Sequence, residues 1–144
     1  MNIIWGIFLL ILSSIAYFGQ VITAFWPETA VKLSLTEPKS EVDPTFYADV
    51  RGEAYWDTVI LWLLPVASIL LLLNNPNWTY FGLMGGGIYL YFAGRGVITR
   101  WLMQKQGIEI GTPDTLKVNY IFLILVGVAA LITIVMAISD VRLT

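Results

Sequence analysis

The sequence contains no cysteine and no histidine among its 144 residues. Without cysteine, the chain can form no disulfide, thiolate nucleophile or cysteine-bound metal site. Without histidine, it lacks the most common haem ligand, general base and transition-metal ligand of proteins. The chain's own side chains therefore exclude many membrane redox chemistries, and we expect no cofactor held through histidine or cysteine.

Charged residues are scarce: they make up 12% of the chain, against 58% hydrophobic residues and a mean hydropathy of +0.76. A soluble domain needs more polar residues than this to cover its surface. The excess of apolar residues is what lipid-facing surface requires, so the composition predicts an integral membrane protein with a single domain. The net charge of −2 argues against a nucleic-acid partner.

Four apolar stretches predict transmembrane helices, because a helix needs roughly 20 mostly apolar residues to cross a bilayer. We place them at about 3–25, 58–73, 78–94 and 118–139. Asp43 precedes a proline, which is typical of a helix start, so the second helix is expected to begin near residue 44. Pro65 predicts a kink within it. The predicted fold is all-α: four transmembrane helices in an up-down antiparallel bundle.

The distribution of basic residues predicts the orientation of the chain. With four spans, the segments 26–57 and 95–117 share one side of the membrane, and they hold seven of the eight lysines and arginines. The positive-inside rule places these loops in the cytoplasm and both termini outside. Arg142 is the one basic residue predicted on the outer side. A bacterial or archaeal inner membrane is the expected location.

The third predicted helix is rich in glycine. Gly82 and Gly86 have the small-xxx-small spacing that lets a second helix backbone approach closely. Packing within the bundle is the simplest interpretation, and a dimer contact or a notch for a lipid, quinone or carotenoid is the functional alternative. Tyr89 and Tyr91 follow and point to different faces of the helix, so together with the two glycines they are weak candidates for cofactor binding.

A cluster of charged residues is predicted where the second helix begins and the third ends. Three carboxylates recur every four residues and would repel one another unless cations face them. Guanidinium groups from the antiparallel third helix are the natural partners. We therefore expect either a salt-bridge network or a binding site for an anionic headgroup or a partner subunit, built from Asp49, Arg51, Glu53, Asp57, Arg95 and Arg100.

Several motifs resemble those of the DoxX-like small four-helix membrane proteins, in particular a bacterial family in that group known only as a domain of unknown function. They are Trp26-Pro27-Glu28 after the first span, the run 48–55, and the run 93–96. At 56–57, Trp-Asp replaces a glycine-rich step that these proteins tend to have. The resemblance implies an up-down bundle and association with membrane oxidoreductases, and it supplies no catalytic residue.

Taken together, the sequence favours a non-catalytic accessory or anchoring subunit of a larger membrane complex, with a redox-linked complex among the candidates. No catalytic arrangement is evident, and the expected partners are membrane lipids and another membrane protein or a second copy of the chain. The alternative is a standalone binder or carrier of a hydrophobic small molecule such as a lipid, quinone or pigment.

Overall fold

The computed structural model describes residues 2–141, which are almost entirely helical and contain no strand. A short 3₁₀ turn covers Lys39–Glu41. The α-helices are α1 (Asn2–Phe25), α2 (Pro27–Lys32), α3 (Pro44–Ile60), α4 (Leu63–Leu72), α5 (Trp78–Lys105) and α6 (Pro113–Val141).

Three helical segments are long and apolar enough to cross a membrane: Ile3–Phe25, Pro44–Leu72 and Pro113–Val141. This indicates an integral membrane protein. Helix α5 covers the third of the four spans expected from the sequence, but it is not one of these three segments. It is long enough, but its glycines, tyrosines and basic residues make it less apolar than the other three segments.

Helices α3 and α6 each begin at a proline that follows a capping side chain. The Asp43 carboxylate accepts a hydrogen bond from the backbone N–H two residues later at 2.7 Å, and Pro44 opens α3. The Thr112 hydroxyl accepts one from the backbone N–H three residues later at 3.3 Å, directly before α6. Asn75 instead stabilises a turn, and α5 begins at Trp78.

The predicted kink appears as a break between α3 and α4. Pro65 has no N–H to donate to the Leu61 carbonyl one turn earlier. The Tyr89 hydroxyl lies 3.0 Å from that oxygen and 2.9 Å from the carbonyl oxygen of Ser13 on α1. Tyr89 is 1% exposed, so its single hydroxyl proton is shared by two buried carbonyls. One side chain therefore joins α1, the break and α5.

Glycines let α5 pack closely against its two neighbours. A β-carbon built at Gly85 would lie 2.8 Å from the Leu64 backbone nitrogen of α4. One built at Gly86 would lie 2.7 Å from Cγ1 of Ile134 on α6, and Gly82 faces the same helix. The glycine-rich part of α5 is thus in contact with α4 on one side and α6 on the other.

Contacts along the helices show that sequence neighbours run antiparallel. Gly85 contacts Leu64, whereas Arg95, further along α5, contacts Asp49, which lies earlier in the chain. Helix α1 runs antiparallel to α3 and α4 in the same way, as the contacts Gly6–Leu72 and Thr23–Arg51 show. Helices α5 and α6 are also antiparallel, with the contacts Gly86–Ile134 and Gly96–Leu123. The ends of α1 and α5 and the starts of α3 and α6 therefore share one end of the molecule, which we call the polar end.

The two long loops of the polar end are tied to each other. The Asp43 backbone N–H donates to the Glu109 carbonyl at 2.9 Å. A small apolar cluster, separate from the main core, lies beneath this contact and includes Phe46 and Ile110. These contacts fix the start of α3 relative to the segment between α5 and α6.

We predict that Gly85→Ala destabilises the protein by about 1–3 kcal/mol, because the new methyl group would overlap the α4 backbone. The midpoint of thermal unfolding in detergent should fall accordingly. Gly87→Ala is the matched control, since a β-carbon at Gly87 meets nothing within 4 Å. An equal loss of stability in both variants would contradict the close α4–α5 contact.

Candidate ligand-binding site at the polar end

Arg95 forms the ion pairs expected from the acidic stripe of α3. Its Nη2 atom lies 2.6 Å from Oδ1 of Asp49, where it also donates a hydrogen bond. Its Nη1 atom lies 2.9 Å from Oε1 of Glu53, within ion-pair distance but without hydrogen-bond geometry. The Glu53 side chain is only 10% exposed, so solvent screens this contact weakly. Arg95 therefore links α5 to α3.

Arg100 has different surroundings. Its Nη1 atom donates to the Gly96 carbonyl one turn earlier at 3.1 Å, and its guanidinium lies 5.7 Å from the Phe46 ring centroid. Its Nε atom is buried and has no hydrogen-bond partner, and no carboxylate among residues 2–141 lies within ion-pair distance. Burial lowers the pKa of the Arg100 guanidinium, although arginine stays charged. A buried donor without a partner costs about 1–3 kcal/mol.

Arg100 and Glu53 line a cavity of about 230 Å³. Gln20 from α1 and Asn119 from α6 line the same polar region. Within the described part of the chain, neither amide forms a side-chain hydrogen bond with another residue. The cavity therefore gathers three side chains with unused hydrogen-bonding capacity, one each from α1, α5 and α6.

Apart from Thr23 and Ser34, the remaining residues that line the cavity are apolar, and the cavity reaches the outer surface between α1 and α6. Ile15 on α1 and Val118 on α6 line it and are 55% and 66% exposed. A β-carbon at Gly19, which also lines the cavity, would meet nothing within 4 Å. Phe92 and Phe122 close the inner wall. The cavity thus has a polar inner region and an apolar opening between two helices.

Arg51 and Asp57 take no part in the ion pairs of Arg95. Arg51 donates a hydrogen bond to the Thr23 carbonyl of α1 at 2.7 Å. It donates a second one to the Tyr55 hydroxyl, one turn later on α3, at 3.0 Å. Asp57 is 5% exposed, and its Oδ2 atom has no hydrogen-bond partner in the described structure. Of the six residues grouped by the sequence, three are in direct contact, Arg100 shares a cavity with Glu53, Arg51 contacts α1, and Asp57 is buried without an ion pair.

The glycines and tyrosines of α5 do not line the cavity. Gly82 and Gly86 pack against α6, and Tyr89 binds backbone carbonyls. Tyr91 is 67% exposed on the outer face of α5. Their role in ligand binding stays a prediction.

Gln20 and Asn119 are not among the site residues predicted from the sequence. The one signal in the sequence for a polar site here was Gln20, an amide side chain in a mostly apolar helix, close to the end of the molecule that carries the charges. The apolar walls gave no signal, because their residues do not differ in type from those that face lipid.

No protein-family model, curated protein or solved structure matches the chain. The geometry of the polar end is therefore the basis for assigning a function.

The two arginines are predicted to respond differently to substitution. Arg95→Gln leaves Asp49 and Glu53 without their cation, and we expect a loss of about 1–3 kcal/mol of stability. Arg100→Gln removes a cation that forms no ion pair, together with a buried donor that has no partner, so the loss should be smaller, at most about 1 kcal/mol from the contact with Phe46. Thermal unfolding in detergent measures both, and equal losses would show that Arg100 has an equivalent structural partner.

Proposed function

We propose that the protein binds an amphipathic small molecule in the cavity at its polar end. The observation that supports this is the side chain of Arg100, which lines a cavity with mostly apolar walls and forms no ion pair with any carboxylate of the described residues. Ligand pockets commonly combine apolar walls with a few polar groups that fix orientation. Arg100, Gln20 and Asn119 would donate hydrogen bonds to the ligand's polar group, and Glu53 would accept one.

The volume of the cavity limits the size of the ligand that it can hold. A cavity of about 150 Å³ holds a benzene molecule, so 230 Å³ accommodates a substituted ring or a compact headgroup. A longer hydrocarbon chain would extend between α1 and α6 into the bilayer. Among the ligands considered from the sequence, a lipid or a quinone fits this chemistry better than a hydrocarbon carotenoid, which offers Arg100 no acceptor.

The proposed setting is a bundle of four antiparallel transmembrane helices, with α5 as the fourth span. The glycines that pack closely against α4 and α6 replace larger apolar side chains, and this accounts for part of the lower hydropathy of α5. The polar end would face the cytoplasm of a bacterial or archaeal cell, because it carries seven of the eight basic residues. Arg142, the remaining one, lies outside the described residues.

A second candidate function is that of an accessory or anchoring subunit, as the resemblance to DoxX-like proteins suggests for a redox-linked complex. It is favoured by an open apolar groove between α5 and α6, which contains Gly94 and Gly127 and exposed aliphatic side chains. Small residues in such a position permit close approach of a further transmembrane helix. The partner would be a membrane protein or a second copy of the chain.

Purification from native membranes in a mild detergent tests the accessory function. A stable complex that is lost on Gly94→Leu would support it, because leucine would fill the groove. A monomer without a partner, unchanged by the substitution, would contradict it.

The cavity itself is tested by Gly19→Leu, which places a side chain in the space proposed for the ligand. Lipid and quinone retained by the purified protein should fall by about tenfold or more, as measured by mass spectrometry of an organic extract. Gly87→Leu is the matched control, since a β-carbon there is also unobstructed and lies away from the cavity. Wild-type protein without any retained lipid, quinone or pigment would refute the proposal.

A further inference from the structure

A second groove lies at the polar end, beside α2, and shares no lining residue with the cavity described above. Its volume is about 500 Å³. One side is formed by α2 and the segment that follows it, and the other by the first two turns of α3. Of the residues that line this groove, only Arg51 belongs to the charged cluster predicted from the sequence.

The groove is locally basic in an acidic protein. Lys32, Lys39 and Arg51 line it, against a single carboxylate, Glu28, whereas the whole chain has a net charge of −2. In the described residues, no carboxylate lies within 4.0 Å of any of these three cations, since both ion pairs of the structure belong to Arg95. The side chains that line the groove therefore have an excess of positive charge, and its three cations form no ion pair within the described residues.

Two of the cations are held in place by contacts that leave their charge intact. Arg51 donates to the Thr23 carbonyl and the Tyr55 hydroxyl, and its guanidinium lies 5.3 Å from the Tyr55 ring centroid. The Lys39 ammonium lies 5.6 Å from the ring centroid of Tyr47, which also lines the groove. These contacts reduce the entropy lost when the cations bind an anion.

The position of the groove coincides with the expected level of lipid headgroups. Helix α2 begins two residues after Phe25, the last residue of the first candidate span. Exposed rings surround this point: Trp26 is 58%, Tyr55 48% and Trp56 62% exposed. Aromatic side chains of this kind concentrate at the membrane–water interface. A lipid phosphate at that level would lie beside the three cations.

We infer that this groove binds the headgroup of an anionic phospholipid. Three cations facing one carboxylate favour a headgroup whose phosphate charge is not cancelled by an amine. A choline or ethanolamine group would bring a further positive charge into an already basic groove. The acyl chains would follow the exposed rings of Phe25 and Tyr55 into the bilayer. This inference is independent of the proposed cavity ligand, because it involves different residues.

The test is native mass spectrometry of the full-length protein in detergent supplemented with either phosphatidylglycerol or phosphatidylcholine. The double variant Lys32→Gln and Lys39→Gln should bind phosphatidylglycerol about 25-fold more weakly, at roughly fivefold for each lysine. Its binding of phosphatidylcholine should stay unchanged. Both lysines are exposed, so the variant is expected to fold normally.

The matched control is Lys105→Gln with Lys117→Gln, which removes the same charge from the polar end but touches neither the groove nor the cavity. It should retain phosphatidylglycerol at the wild-type level. If both double variants lost phosphatidylglycerol equally, the binding would depend on the overall charge of the polar end, and the inference would be overturned. Equal loss of both lipids would also overturn it, as would displacement of phosphatidylglycerol by inorganic phosphate, which would identify a soluble phosphate ligand instead.

Discussion

The Leu61 carbonyl is left without its helical donor by Pro65, and the Tyr89 hydroxyl takes the place of that donor. An unsatisfied carbonyl is costly inside a bilayer, because no water is available to bind it. The hydroxyl reaches the carbonyl only if α5 lies very close to the break, and Gly85 permits this by presenting no side chain to the α4 backbone. A missing backbone hydrogen bond in one helix thus determines where the next helix must pack.

The position of Tyr89 sets the alignment of everything nearer the polar end. Because α5 runs antiparallel to α3, the turns after Tyr89 bring Arg95 opposite Asp49 and Glu53. Arg100 lies more than a turn further along α5, beyond this pair of acids, and faces the cavity between α1 and α6. The same alignment therefore gives one arginine a structural role and leaves the other with an unused buried donor.

Features determined by neighbouring residues could be predicted from the sequence. The Asp43 cap and the break near Pro65 follow from proline chemistry, and the approach of Arg95 to the α3 acids follows from helical periodicity and an antiparallel turn. The partners of Tyr89 could not be predicted, since they depend on the depth at which α5 sits against two other helices. The cavity could not be predicted either. Its amides lie on α1 and α6, and no local pattern in the chain relates Gln20 to Asn119.

A structure of the protein in nanodiscs of native lipid would show whether the cavity at the polar end holds a ligand. Non-protein density is expected in the cavity, with an acceptor atom about 3 Å from a nitrogen of the Arg100 guanidinium and an apolar portion leading out between Ile15 and Val118. A cavity closed by side chains, with Arg100 paired to Glu53, would contradict this expectation.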